Sequence, residues 1–293
     1  MNASRTVRLL AFVILAAATH PAAQQATVFS SKVEAVRVDV LVTDRGHPVT
    51  GLQASSFEVL DNGVPQQIDF ASLEQIPLNV VLVLDMSNSV TGDHLNNLRG
   101  AARAMLDDLK SDDQAALVTF SHLVVQGSGL TKDLARVRQA LERTLEPGST
   151  SLADGIYTGM TIAESDVGRA LLIVFSDGTD TASWLTPEFV LDTARRTDVV
   201  VYSVRAGGSA RISFLHDLSE LTGGALIQTD PTKSFSETFQ TILDEFRHRY
   251  LLSYTPLGVA AGGWHRLEVR VRARRATVKA RAGYLRDEPT ARP

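Results

Sequence analysis

Five short apolar runs punctuate the middle of this 293-residue chain: Val80–Leu84, Ala115–Phe120, Ala170–Phe175, Val199–Val204 and Ala225–Gln228. Continuous apolar runs of this length, rich in valine and leucine, fit strands buried on both faces. Between them apolar residues recur at three- and four-residue steps: Leu95, Leu98, Ala102, Met105, Leu106 and Leu109; then Leu134, Val137, Leu141 and Leu145; then Phe235, Phe239, Ile242 and Phe246. That spacing predicts amphipathic helices. Strands alternating with helices predict an α/β fold, a doubly wound, mostly parallel sheet with helices on both faces.

The flanks keep a different rhythm. Val36, Val38, Val40 and Val42 alternate with Arg37, Asp39 and Thr43, the period of a half-buried strand, and only Leu41 breaks the polar side. Asp44–Arg45–Gly46 and Asp61–Asn62–Gly63 read as turns, the second a hairpin signal. Past Tyr250 the alternation returns, with Leu267, Val269, Val271 and Ala273 set against Glu268, Arg270, Arg272 and Arg274. Each flank holds only two to four strands, too few to stand alone. We therefore expect residues 27–76 and 248–286 to pair into one small β-sandwich-like module, with residues 77–247 inserted between them and 287–293 as a tail.

Composition narrows the function. With no cysteine, disulfide scaffolds, thiol nucleophiles, cysteine zinc sites and lipid anchoring on cysteine are excluded. A net charge of −4 and a pI near 6.0 give no global pull toward nucleic acid or an anionic membrane. Residues 246–293 carry 11 basic against 3 acidic residues, which we read as arginines on the wet face of a strand rather than a polyanion site. At the N-terminus, Arg5 and Arg8 precede an apolar run from Leu9 to Ala18 and a small-residue exit around Ala22 and Ala23. This is the pattern of a secretory signal over residues 1–23, so the mature chain is expected to be exported, periplasmic or secreted, without a transmembrane segment.

Chemistry concentrates where the first buried strand ends. Val80–Leu84 runs into Asp85–Met86–Ser87–Asn88–Ser89, presenting one carboxylate and two hydroxyls from alternating positions. A second polar loop, Gly148–Ser149–Thr150–Ser151, precedes a helix carrying Asp154, and a third, Ser176–Asp177–Gly178–Thr179–Asp180, follows Ala170–Phe175. In open α/β sheets ligands sit beyond the carboxyl ends of the strands, and oxygen-only donors suit Mg²⁺, Mn²⁺ or Ca²⁺. Singly, such residues are ordinary helix caps and turn formers; their conjunction, in this order, points to a cation.

The three loops resemble the metal-ion-dependent adhesion site (MIDAS) of the von Willebrand factor type A domain. In that family an Asp-x-Ser-x-Ser loop, a later threonine and a later aspartate hold a divalent cation, and they match Asp85, Ser87, Ser89, Thr150 and Asp177 here. The resemblance covers roughly residues 77–247, and the β flanks resemble those of an exported bacterial, acidobacterial von Willebrand factor A-related family. It implies Mg²⁺ in use, with Mn²⁺ or Ca²⁺ as alternatives, and a protein partner whose Glu or Asp carboxylate completes the cation's shell. It also implies a last helix able to shift with ligation.

Enzymatic readings fare less well. A strand-end aspartate suggests a metal-dependent phosphohydrolase, but the second aspartate of such sites is replaced by Ser87. No G-x-S-x-G, H-E-x-x-H or G-x-x-x-x-G-K-[ST] string occurs, and the seven histidines are scattered. His122 is expected to be a surface residue near the rim, and Trp184 and Leu185 either a partner contact or packing. The expected function is a non-catalytic, exported adhesion-type module; a phosphohydrolase and a structural envelope module with an idle site are the alternatives.

Overall fold

In the computed structural model, residues 35–73, 76–143, 148–177, 179–206, 213–229, 234–272 and 275–287 are described. The expected signal over 1–23, most of the tail, Leu145, Ala273 and Arg274 lie outside them.

The N-terminal flank forms β1 (Val36–Asp44), β2 (His47–Pro48), β3 (Phe57–Asp61), β4 (Val64–Gln66) and β5 (Ile68–Ser72). The middle contributes β6 (Leu78–Asp85), α1 (Asp93–Asp107), β7 (Gln114–Phe120), β8 (Val124–Thr131), α2 (Leu134–Leu141), α3 (Leu152–Ala163), β9 (Arg169–Phe175), α4 (Pro187–Arg196), β10 (Val200–Ala206), α5 (Ser213–Thr222), β11 (Leu226–Thr229) and α6 (Phe235–Arg247). The chain then returns through β12 (Tyr250–Tyr254), β13 (Gly263–Val271), β14 (Thr277–Lys279) and β15 (Gly283–Arg286).

The middle folds as expected. Its six-stranded sheet has the order β11-β10-β9-β6-β7-β8, and only β7–β8 is antiparallel. Every residue of β6 is buried, because α1, α2 and α6 cover one face of the sheet and α3, α4 and α5 the other. From β6 the chain steps outward to β7 and β8, then crosses back to β9 on the other side, so β6 is the strand where winding reverses. Crevices for ligands open at such switch points. Strand β8 was not anticipated; its sequence, VVQGSGLT, has glycines where alternation would be expected.

The two flanks share both hydrogen bonds and a core. β1 pairs with β12 and β14, β12 with β5, and β3 with β13, giving a five-stranded and a four-stranded sheet. Val38, Val40, Val42, Phe57 and Val59 pack between them against Tyr250, Leu252, Tyr254, Leu267 and Tyr284. Asn62 and Gly63, at φ 48° and 81°, make the tight turn expected between β3 and β4. At the centre, Asp61 accepts hydrogen bonds from the Tyr254 and Tyr284 hydroxyls (2.9 and 2.8 Å) and lies 2.8 Å from His265 Nδ1. Burial first, then the neighbouring phenol and Asp61, push the Tyr254 hydroxyl above its usual range; burial and the Asp61 contact do the same to Tyr284, so both remain donors. Arg270, on the wet face of β13, pairs with Glu268 at 2.7 Å.

Leu41 breaks the alternation of β1 because the polar side of that strand is a docking face, and Leu41 is buried there. Asp39 receives the Arg169 guanidinium from the start of β9, with Nε at 2.8 Å, and both side chains are desolvated. Arg249, fully buried between α6 and β12, donates to Tyr202 Oη (2.8 Å) and to the Gly223 carbonyl (2.6 Å). Arg281 pairs with Asp198 at 2.7 Å. Removing one partner of a buried pair strands the other charge. Asp39→Ala should therefore lower unfolding free energy by about 3–5 kcal/mol, and pairing it with Arg169→Met should recover most of the loss. Urea denaturation decides this; an Asp39→Ala loss below about 1 kcal/mol, the worth of an exposed pair, would contradict a desolvated pair.

Candidate metal centre

Strand β6 delivers Asp85 to the carboxyl edge of the sheet with none of its surface exposed. Its backbone continues into the neighbouring strand's territory, the Met86 N–H donating to the Phe120 carbonyl at 2.7 Å. One carboxylate oxygen accepts the Ser87 N–H at 2.8 Å, folding the loop back on itself; the other accepts the Ser176 hydroxyl at 2.6 Å. Burial raises the Asp85 carboxyl above its ordinary range, opposed by the Ser176 and Ser87 hydrogen bonds and reinforced by the nearby Asp177 charge. An ionised carboxylate here is short of positive charge.

The hydroxyls extend the chain of contacts. Ser87 Oγ lies 3.2 Å from Ser89 Oγ, and the Ser89 hydroxyl donates to Asp177 at 2.7 Å. Ser87 is buried, Ser89 exposed and Asp177 half-buried, so the cluster runs from the core to the surface. Thr150, 7% exposed, is fixed through its main chain: its N–H donates to Thr181 Oγ1 (3.0 Å), and its carbonyl accepts the Thr181 and Ala182 N–H groups (2.9 and 3.1 Å). The Asn88 N–H donates to the Gly148 carbonyl at 3.1 Å, stitching the first loop to the second. The structure thus links Ser87, Ser89 and Asp177 through side chains, joins Asp85 to them through the Ser87 N–H, and ties Thr150 to the same loops through its backbone.

Three residues matter in ways their sequence context did not announce. Ser176 aims the Asp85 carboxylate; a hydroxyl next to Asp177 at a strand end was the available signal. Asp180 caps α3, accepting the Ala153 N–H at 2.7 Å, while Asp154 returns the favour by accepting the Trp184 and Leu185 N–H groups (3.0 and 2.9 Å). These clamps hold the third loop against the helix that follows Thr150. His122 is exposed and its ring packs over Gly148, where a Cβ would collide with it. Trp184 is 95% exposed.

Among the described residues no three His, Asp or Glu side chains gather to hold a metal by themselves. A cation at this edge would depend on hydroxyls as well as carboxylates. The donor chemistry fits that: two carboxylates and three hydroxyls, all oxygen, suit a hard divalent ion.

The family model of the von Willebrand factor type A domain matches residues 79–241. The chain belongs to this family. Across 169 residues it is 25% identical to inter-alpha-trypsin inhibitor heavy chain H2 of Mus musculus, covering 52% of this chain and 18% of that protein. It is 32% identical over 89 residues to an uncharacterized protein of Synechocystis sp., covering 29% of this chain and 21% of the other. The matches thus span about a fifth of those relatives' lengths. In fold it is similar to proximal thread matrix protein 1 from the mussel byssus, whose structure has a zinc-occupied MIDAS motif, with a TM-score of 0.51 and 17% identity over 64% of this chain and 49% of that one. No helix among the described residues is long and apolar enough to cross a membrane.

The buried carboxylate has a measurable consequence. Asparagine keeps an acceptor for the Ser87 N–H and turns its amide N–H toward Ser176 Oγ, which then accepts instead of donating. Because the charge is removed, Asp85→Asn should be at least as stable as the wild type in chelator. Saturating Mg²⁺ at a hundredfold excess over Kd should then stabilise the wild type by about 2.7 kcal/mol and the variant not at all. Chemical denaturation with and without Mg²⁺ is the check; equal responses of the two proteins would contradict the assignment.

Proposed function

We propose that the chain is an exported, non-catalytic binding protein that grips a partner protein through a divalent cation. Asp85, Ser87, Ser89, Thr150 and Asp177 hold the ion, Mg²⁺ first and Mn²⁺ or Ca²⁺ as alternatives. When bound, the ion supplies a positive charge and a coordination place for a Glu or Asp carboxylate of the partner. The observation that carries this reading is the fully buried Asp85 carboxylate, bonded to the Ser87 N–H, with the Ser87 and Ser89 hydroxyls leading on to a surface-reaching Asp177. Folding alone has no need of that arrangement, since a buried carboxylate short of positive charge is a burden to the apo state.

Each residue has a task. Asp85 gives the site its deepest charge, and Ser176 and the Ser87 N–H hold its two oxygens in place. Ser87, Ser89 and Thr150 contribute neutral oxygens, which leave a bound ion more positive than an all-carboxylate cage would. Asp177 closes the outer side. In our reading residues 77–247 are the binding domain, 27–76 and 248–286 its joint β support, 287–293 a tail and 1–23 an export signal. Binding is favoured over hydrolysis because position 87 carries Ser87, with no second carboxylate beside Asp85 in that loop.

Affinity capture from the source organism's envelope tests the reading, with wild type and Asp85→Ala as bait, each with Mg²⁺ and with chelator. A partner retained by wild type with Mg²⁺ and lost in the other three arms is expected. Equal retention in all four would remove the cation from the account, and phosphate-ester turnover lost in Asp85→Ala would transfer it to the hydrolase alternative.

A further inference from the structure

Four arginines are buried among the described residues: Arg169, Arg205, Arg249 and Arg281. Three are paired, with Asp39, with Tyr202 and the Gly223 carbonyl, and with Asp198. Arg205 differs. It is 7% exposed, its Nε, like that of Arg249, is buried without an acceptor, and it alone of the four has no carboxylate of the described residues paired with it. A guanidinium largely buried without a counter-charge is expensive to keep.

Its position gives that expense a purpose. Leu84 is level with Phe175, and Phe175 with Val204, so Asp85, Ser176 and Arg205 follow as one row across β6, β9 and β10. Side chains alternate along each strand: Leu84, Phe175 and Val204 face the α1 and α6 side, whereas Val83, Val174 and Val201 face α3 and α5. Asp85, Ser176 and Arg205 therefore share the second face, and Ser203, on that same face, accepts the Ser219 hydroxyl from α5. The Ser176 N–H donates to the Val204 carbonyl at 3.2 Å, fixing the row. Two strand spacings, about 10 Å, separate the Arg205 backbone from that of Asp85.

We propose that Arg205 is an oxyanion subsite beside the metal centre and takes a second acidic side chain of the partner. The planar fork of a guanidinium matches the two oxygens of a carboxylate. The inference rests on the functional reading only in naming the partner as the source of the acid; the subsite itself needs no cation. It makes the recognised feature a pair of acids on the partner, one directed to the metal centre and one to β10.

Acetate and sulfate serve as probes, titrated against chloride at equal ionic strength, in chelator, on the full chain. The Arg205 Nε–H resonance of the wild type is followed alongside Tm. Acetate should shift the resonance saturably and raise Tm, and Arg205→Met should abolish the Tm response. In chloride, Arg205→Met should be no less stable than the wild type, because an unpaired charge has been removed. No shift with either anion, a shift with sulfate alone, or marked destabilisation by Arg205→Met would overturn the proposal. Mg²⁺ titration of the same samples reads the metal centre separately. An acetate response without Mg²⁺ binding would leave the subsite standing and defeat the cation reading; the reverse would do the opposite.

Discussion

The Asp85 carboxylate is the constraint around which the edge of this molecule is organised. A strand buried along its whole length ends in a charge that has no solvent and no basic side chain to answer it. Two hydrogen bonds from Ser87 and Ser176 offset part of the desolvation, and each comes from a loop that must then be held still. The remaining loop contacts do that: Asn88 to Gly148, Thr150 to Thr181 and Ala182, Asp180 to the first turn of α3, and Asp154 back to Trp184 and Leu185. A cluster of oxygen donors held in place by its own hydrogen bonds is the result. Preorganisation of this kind lowers the ordering cost of binding.

The opposite end of the sheet solves the same problem in another way. There, buried guanidinium groups have answers: Asp39 for Arg169, Asp198 for Arg281, and a phenol and a carbonyl for Arg249. These contacts join the amino ends of β9 and β10 and the exit of α6 to the β module, so both chain flanks lock onto the inserted domain. α6 is further tied at its C-terminal end by Arg247 to Asp113 at 2.6 Å. Any movement of that helix with ligation would have to break or carry this contact. Charge satisfied at one end and left open at the other is the polarity expected of a scaffold below and a binding edge above.

Much of this was legible from residues. Val80–Leu84 announces a buried strand by composition alone, and the Asp85–Ser89 loop follows it within one turn of chain, so motif and scaffold could be read together. The β flanks announced their strands by alternation and their turns by Asn62–Gly63. What stayed hidden depends on tertiary contact. Leu41 looked like an error in a pattern because nothing local says that the polar side of β1 docks on Arg169. Strand β8 hid behind glycines that an edge hairpin tolerates. Arg205 fell one residue beyond the apolar run that marked β10, and only the strand register shows it level with Asp85. Arg249 and Arg281 read as wet-face charges until their partners on distant segments appear.

Anomalous diffraction from Mn²⁺-soaked crystals tests the central claim most directly. The account predicts a Mn²⁺ peak bounded by Asp85, Ser87, Ser89, Thr150 and Asp177, at oxygen-coordination distances, and its loss in Asp85→Ala crystals. A Mn²⁺ peak elsewhere on the protein with none at this edge, or a peak here that survives Asp85→Ala, would contradict it.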